Sequence, residues 1–209
     1  MRGFILCITN QFIMLLEEAE IKLNSIDKDN APIPGINKGG RGQWVERQLG
    51  LDLGSNLLDF INGELKAFKE SEPIAVTMLL HCFDEVFDRS ISFSESKVGK
   101  KLKNVLFVKF AKKTGKFVGT VVTNAESHRE VYYKLSEDYN DVCEGIRRYY
   151  DNKEDVHTIN GRNGYLQIRS KDNPQKDGSY KPLVYNGQQV YHCAMSFYLR
   201  NQFAKVIFS

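Results

Sequence analysis

The chain has 209 residues, of which 42% are hydrophobic and 26% charged, and its formal net charge at pH 7 is +3. This composition indicates a globular protein with a substantial core, and it excludes fibrous and intrinsically disordered chains. No apolar stretch approaches the ~20 residues that a membrane-spanning helix needs, and Thr9, Asn10 and Gln11 interrupt the apolar run near the start. We therefore expect one cytoplasmic domain that does not associate with a membrane.

Lysines are concentrated in one part of the sequence. Eight lysines and no acidic residue lie between Lys97 and Lys116. A lysine-dense face attracts a polyanion such as DNA, and the alternative is a solvated face that serves solubility. The cysteines and histidines show neither a CxxC pair nor metal-ligand spacing, which predicts reduced thiols and structural histidines. These residues are Cys7, Cys82, Cys143, Cys193, His81, His128, His157 and His192.

The first part of the chain is predicted to be helical. Hydrophobic periodicity predicts a helix over residues 11–24. A glycine-rich loop is expected over 37–42, and it lacks the Gly-Lys-Ser/Thr ending of a Walker loop. A second, short helix is predicted over 43–49, ending at Gly50.

Asn62-Gly63 is the strongest turn signal in the chain, because a type I′ hairpin turn needs positive φ at both central residues. It predicts that the chain enters a hairpin through Asp59 and Phe60 and leaves along a strand over 64–68.

The rest of the chain alternates strand and helix patterns without internal repeats or a linker. The predicted elements are strands over 74–83, 104–110 and 117–123, an amphipathic helix over 128–150, a strand over 165–169, a polar loop over 170–182 and an amphipathic segment over 197–208 that fits a helix or a strand.

The predicted hairpin brings together a group with a possible chemistry. Glu64 and Lys66 face the same side of their strand, and the turn places Asp59 beside them. Magnesium needs one or two carboxylates, and a nearby lysine can orient a water molecule or stabilise developing negative charge. Asp-x4-Glu-x-Lys thus fits metal-assisted phosphodiester hydrolysis, although the pattern alone also occurs in proteins without this chemistry.

Several sequence blocks around this pattern share one resemblance. They are GQWVERQLG at 42–50, GS at 54–55, DF at 59–60, GELK at 63–66, KLKNVLF at 101–107, GYLQIRSK at 164–171 and FYL at 197–199. In this order they resemble the MutH family, which comprises mismatch-repair endonucleases and related restriction endonucleases with the PD-(D/E)xK nuclease fold. The resemblance covers most of the chain from Asn37 onward.

The resemblance implies an α/β fold in which helices flank a mixed central sheet. It further implies a single MutH-like endonuclease domain over 1–209. The domain would comprise an N-terminal helical segment over 1–30, a catalytic core over 37–123, and a helix with a DNA-reading part over 128–209.

Roles for individual residues follow from the same resemblance. Asp59 and Glu64 are expected to bind one or two Mg²⁺ ions, with Mn²⁺ as a substitute, and Lys66 to act at the attacking water. Glu46 would complete the acidic site or hold a second metal, and Lys101 would be a further catalytic lysine. Arginine and lysine also make the favoured contacts with guanine. The implied DNA-binding residues are Lys38, Gly39, Arg169, Ser170, Lys171 and Tyr198.

Two departures from the mismatch-repair members favour a type II restriction endonuclease: Ser170 stands where those members carry proline, and the loop over 170–182 also differs. The gap between Asp59 and Glu64 is shorter as well, which the tight Asn-Gly turn can accommodate. Such an enzyme would cut double-stranded DNA at a GATC-like site, with a transient homodimer on DNA as one route to double-strand cleavage. The alternatives are a MutH-like nickase of unmethylated strands that needs a MutL-like activator, and a catalytically inactive DNA-binding module.

Overall fold

A computed structural model describes residues 14–27, 40–51, 59–154, 156–171 and 173–209. The elements are α1 (Leu16–Asn24), α2 (Gly40–Leu49), β1 (Glu64–Lys69), β2 (Ile74–Met78), a 3-10 turn (Leu79–Cys82), α3 (Phe83–Phe87), α4 (Lys97–Leu102), β3 (Asn104–Phe110), β4 (Phe117–Asn124), α5 (Arg129–Asn152), β5 (Thr158–Asn160), β6 (Leu166–Ser170), β7 (Leu183–Tyr185), β8 (Gln188–Tyr191), β9 (Met195–Leu199) and α6 (Asn201–Ile207). None of the helices formed by these residues has the length and apolar character that crossing a membrane requires.

The strands form a mixed sheet, an antiparallel sheet and a hairpin. The mixed sheet has the order β1-β3-β4, with β1 parallel and β4 antiparallel to the middle strand β3. The antiparallel sheet has the order β2-β9-β6-β5, and β7 pairs with β8. The expected α/β class, with a mixed sheet and flanking helices, is thus confirmed.

The mixed sheet separates two hydrophobic cores because successive residues of a strand point to opposite faces. Leu65 and Leu106 pack with Trp44 in a core beneath α1 and α2. Phe68 and Phe107 point the other way, into a larger core shared with the antiparallel sheet, α5 and α6. Trp44 is buried and belongs to this core.

Several predicted elements are confirmed. The helix over 43–49 is α2, although it starts at Gly40, so the glycines at 40 and 42 are helical and do not form a loop. The strand over 104–110 is β3, and the helix over 128–150 is α5. Within the helix predicted over 11–24, the described part is helical from Leu16, and residues 11–13 lie outside the described part.

The strand predicted over 74–83 is wrong beyond Met78, where the chain turns into a 3-10 turn and then α3. Leu79, Cys82 and Val86 are buried at helical spacing, so the long apolar run joined a strand to a helix. The amphipathic segment over 197–208 likewise contains both structures, the end of β9 and then α6.

Candidate active site

Glu64 lies at the centre of a charged cluster at the start of β1. Its Oε1 accepts hydrogen bonds from Lys66 Nζ at 2.6 Å and from Lys101 Nζ at 2.7 Å. Lys66 lies two residues along β1, on the same face, as strand alternation requires. Lys101 comes from the last turn of α4. One buried carboxylate oxygen therefore holds two ammonium groups together.

The second oxygen of this carboxylate is free to bind another group. Glu64 is only 3% exposed, and its Oε2 accepts no hydrogen bond from any described residue. Buried polar atoms almost always have a partner, because an unsatisfied one costs about 1–3 kcal/mol. Glu64 Oε2 is therefore positioned to bind a cation or an ordered water.

Asp59 is held next to Glu64, but not by the hairpin that was predicted. Asp59 Oδ2 accepts a hydrogen bond from the backbone N–H of Leu65 at 2.8 Å. Neither Asn62 nor Gly63 has positive φ, and residues 59–62 form bends without strand pairing, so the type I′ hairpin is wrong. The expected proximity of Asp59 to β1 is nonetheless confirmed.

Asn62 and Gly63 instead anchor the segment before β1 to its neighbours. Asn62 Oδ1 accepts from the N–H of Leu16 at 3.0 Å at the start of α1, and Asn104 Nδ2 donates to the Asn62 carbonyl at 2.9 Å. A Cβ on Gly63 would lie 2.3 Å from Leu16 Cδ1 and 2.7 Å from the Asn104 carbonyl oxygen. Glycine is needed here for close packing, not for positive φ.

Two nearby carboxyl groups have raised pKa values, because each is desolvated and lies near another negative charge. Asp59 is exposed as a residue, but protein atoms crowd its carboxyl group. This desolvation, together with the charge of Glu64, raises its pKa. The charges of Lys66 and Lys101 partly oppose that rise. Glu46 on α2 also has a raised pKa, because of desolvation and then the charge of Asp59. All five predicted catalytic residues therefore lie in one cluster.

The donor set suits a hard divalent cation. Magnesium is usually held by one or two carboxylates, with waters and substrate oxygens completing its shell. Asp59 and the free Oε2 of Glu64 offer two such ligands. Glu46, Asp59 and Glu64 do not form one compact metal-binding triad. Among the described residues, they do not each place a carboxylate oxygen within 4.8 Å of the other two. Glu46 is accordingly suited to act through a bound water.

The lysine-rich segment forms two groups and not one face. Lys100, Lys101 and Lys103 lie at or just after α4, at the start of β3. Lys112, Lys113 and Lys116 lie in or next to the turn after β3. A strand rises ~3.3 Å per residue, so the length of β3 separates the groups by about 20 Å. Only the first group lies beside Glu64.

The predicted base-reading residues lie on the antiparallel sheet. The guanidinium of Arg169 is 5.1 Å from the ring centroid of Tyr198, and Arg169 is exposed. Ser170 ends β6, and Lys171 follows it, with its Nζ 3.4 Å from the sulfur of Met78. Four predicted DNA contacts are therefore grouped on one part of the surface. Lys38 and Gly39 lie outside the described residues.

The fold also brings together a group that sequence spacing did not reveal. His157, His192 and Cys193 place their ligand atoms within 4.8 Å of one another. Two of them are separated by 35 residues, so no short-range metal-ligand spacing could indicate the group.

No protein-family model matches the chain, and a comparison with curated proteins found no match.

Proposed function

We propose that this protein is a sequence-specific, Mg²⁺-dependent endonuclease that hydrolyses phosphodiester bonds of double-stranded DNA, with a MutH-like PD-(D/E)xK core. The observation that carries this proposal is Glu64. A buried carboxylate has one oxygen bound to two lysines and the other without a partner among the described residues. That arrangement joins a metal ligand directly to two groups that can bind a phosphate or a nucleophile.

The charge of the cluster fits this chemistry. Three carboxylates and two ammonium groups leave one excess negative charge. The pKa values of Asp59 and Glu46 are raised first by desolvation and then by the charge of a neighbouring carboxylate. A divalent cation would reverse the sign of the site. The site would then attract a phosphodiester, which carries one negative charge.

The residues of the chain would have distinct tasks in hydrolysis. Bound Mg²⁺ supplies Lewis acidity, which lowers the pKa of water and polarises the phosphoryl group. Asp59 and Glu64 would hold the ion, and Lys66, fixed in place by Glu64, would orient the attacking water. The water oxygen would bond to phosphorus and release one proton to solvent, while one bridging P–O bond breaks and the leaving oxygen takes up a proton from solvent. Lys101 stabilises the charge that develops on phosphate oxygens.

Sequence recognition is assigned to the antiparallel sheet. Arg169 and Lys171 can donate to guanine O6 and N7 in the major groove, and the contact with Tyr198 restricts the guanidinium of Arg169. Lys100 and Lys103, which are exposed beside the catalytic cluster, are suited to bind the DNA backbone and so to position it.

The biological form of this activity is proposed to be a type II restriction endonuclease. The second candidate, a MutH-like nickase of unmethylated strands, rests on the same cluster and would require a MutL-like activator. The number of strands cut without a partner protein distinguishes the two.

The test is incubation of the purified chain with unmethylated and adenine-methylated supercoiled plasmid, with Mg²⁺ or with EDTA. We expect discrete linear fragments that require Mg²⁺, and mapping their ends gives the recognised sequence. If the only product is nicked circular plasmid, the result would contradict the restriction endonuclease and favour the nickase. Bound but uncut DNA under every condition would contradict the catalytic proposal and leave a DNA-binding module.

A further inference from the structure

A second group of metal-ligand residues lies at the junction of β8 and β9. Cys193 is fully buried, His192 is half-buried and His157 is exposed. The cysteine is therefore the deepest residue of the group, and the two histidines lie nearer to solvent. Cys193 is not in a disulfide bond. None of these residues belongs to the catalytic cluster.

The distances within the group suit a tetrahedral metal. His157 Nδ1 and His192 Nε2 are 3.3 Å apart, which is long for an N–H···N hydrogen bond. Two imidazole nitrogens bound to one zinc at about 2.0–2.1 Å in tetrahedral geometry are about 3.4 Å apart. All three donor atoms lie within 4.8 Å of one another, so the three side chains are close enough to bind one metal ion after adjustment of the ligands.

The two segments that carry the ligands are held in place by other bonds. Tyr191, which precedes His192, donates from its hydroxyl to the Val156 carbonyl at 2.9 Å, next to His157. The N–H of Ser170 donates to the His157 carbonyl at 2.8 Å. The Tyr180 ring lies 4.5 Å from the ring of His157. Because these contacts need no metal, the folded chain already supplies most of the site.

We propose that His157, His192 and Cys193 bind one Zn²⁺ ion, with a water or another small ligand in the fourth position. Imidazole and thiolate donors select zinc over magnesium, which prefers oxygen ligands. As the metal–sulfur bond forms, the thiol proton of Cys193 leaves to solvent, and no oxidant or reductant is involved. The site is independent of the proposed nuclease function.

The proposed site lies next to the hydrogen bonds that hold the two ends of a polar loop. Lys171 donates its N–H to the carbonyl of Ala194, and the N–H of Ala194 donates to the Lys181 carbonyl, both at 2.8 Å. Ala194 directly follows the ligand Cys193. A metal ion here would therefore fix both ends of the polar loop between Lys171 and Lys181.

Cobalt(II) is the probe for this site, because a thiolate bound to cobalt gives a charge-transfer absorption band. The full chain is titrated with Co²⁺ in the presence of excess Mg²⁺, and zinc bound after desalting is counted by mass spectrometry. We expect a band that saturates at about one cobalt per chain and disappears on addition of zinc. The band should be lost in Cys193→Ser and weakened at least tenfold in apparent affinity in His157→Ala.

The controls separate this site from the acidic cluster. Cys82→Ser and His81→Ala alter residues of the same type elsewhere and should keep the band, as should Asp59→Asn. His157 is exposed, so its variant tests the site even if Cys193→Ser fails to fold. Absence of the band in the wild-type protein, or its full retention in His157→Ala, would overturn the proposal. DNA cleavage plays no part in either result.

Discussion

Replacement of Glu64 by glutamine removes the charge that holds Lys66 and Lys101 together while keeping the shape of the side chain. Both lysine nitrogens lie within 2.7 Å of one Glu64 oxygen, and their side chains are only 14% and 16% exposed. Removing one partner of a buried ion pair typically costs 3–5 kcal/mol. Because the glutamine oxygen still accepts one hydrogen bond and the lysines retain some contact with water, we expect a loss near the lower limit, about 3 kcal/mol. For a chain of this length, that lowers the melting temperature by about 6–12 °C.

Urea unfolding in EDTA at pH 7 measures this loss. The chain has a single tryptophan, the buried Trp44, and its fluorescence reports unfolding. Glu70→Gln is the matched control: Glu70 is exposed just after β1, so its replacement should change stability by no more than about 0.5 kcal/mol. A Glu64→Gln protein as stable as wild type would refute the reasoning. Repulsion among the carboxylates would then outweigh the pairing of Glu64 with the lysines.

Three further predictions concern the residues around Glu64 and the base-reading surface. Desolvation and the charge of Glu64 raise the pKa of Asp59, so the metal-free protein should lose stability as pH rises from the usual carboxyl range through that raised pKa. Urea unfolding across this range should show the decline in wild type and a smaller one in Asp59→Asn; equal declines would contradict the assignment. Gly63→Ala should lower the free energy of unfolding by about 1–3 kcal/mol, because its Cβ would lie 2.7 Å from the Asn104 carbonyl oxygen. Thermal unfolding identical to that of wild type would show that the packing around Gly63 is looser. Arg169→Ala should lose about 1–3 kcal/mol of discrimination at one base position, measured by cleavage of single-substitution sites, and an unchanged preference would remove Arg169 from base reading.

The sequence predicted the elements with strong periodicity and the pairing of charges along one strand. Val105 to Val108 are buried on both faces of β3, which gives the continuous apolar run that marks such a strand. Strand alternation alone was enough to put Glu64 and Lys66 on one face. The position of Lys101 at Glu64 rested on resemblance, since it depends on how α4 packs 37 residues later.

The hairpin predicted from Asn62 and Gly63 was wrong because tertiary packing, and not the local turn preference, determines the backbone conformation there. Asn62 and Gly63 form a strong hairpin signal, but Asn62 is used to bond α1 and Gly63 to allow close contact with β3. Contacts between segments far apart in sequence could not be predicted from the sequence either. His157 and His192 meet because β5 and β9 both pair with β6, and nothing in their spacing indicates this.

The cluster of Asp59, Glu64 and Lys66 is proposed to perform Mg²⁺-dependent hydrolysis of DNA. The most direct test is plasmid cleavage by Lys66→Ala beside Lys69→Ala, with binding of the same DNA measured in parallel. Lys69 lies on the same strand, one residue beyond Phe68, and outside the cluster. We expect Lys66→Ala to bind DNA without cutting it and Lys69→Ala to cut like wild type. Cleavage retained by Lys66→Ala in Mg²⁺ would contradict the account and move the active site elsewhere in the chain.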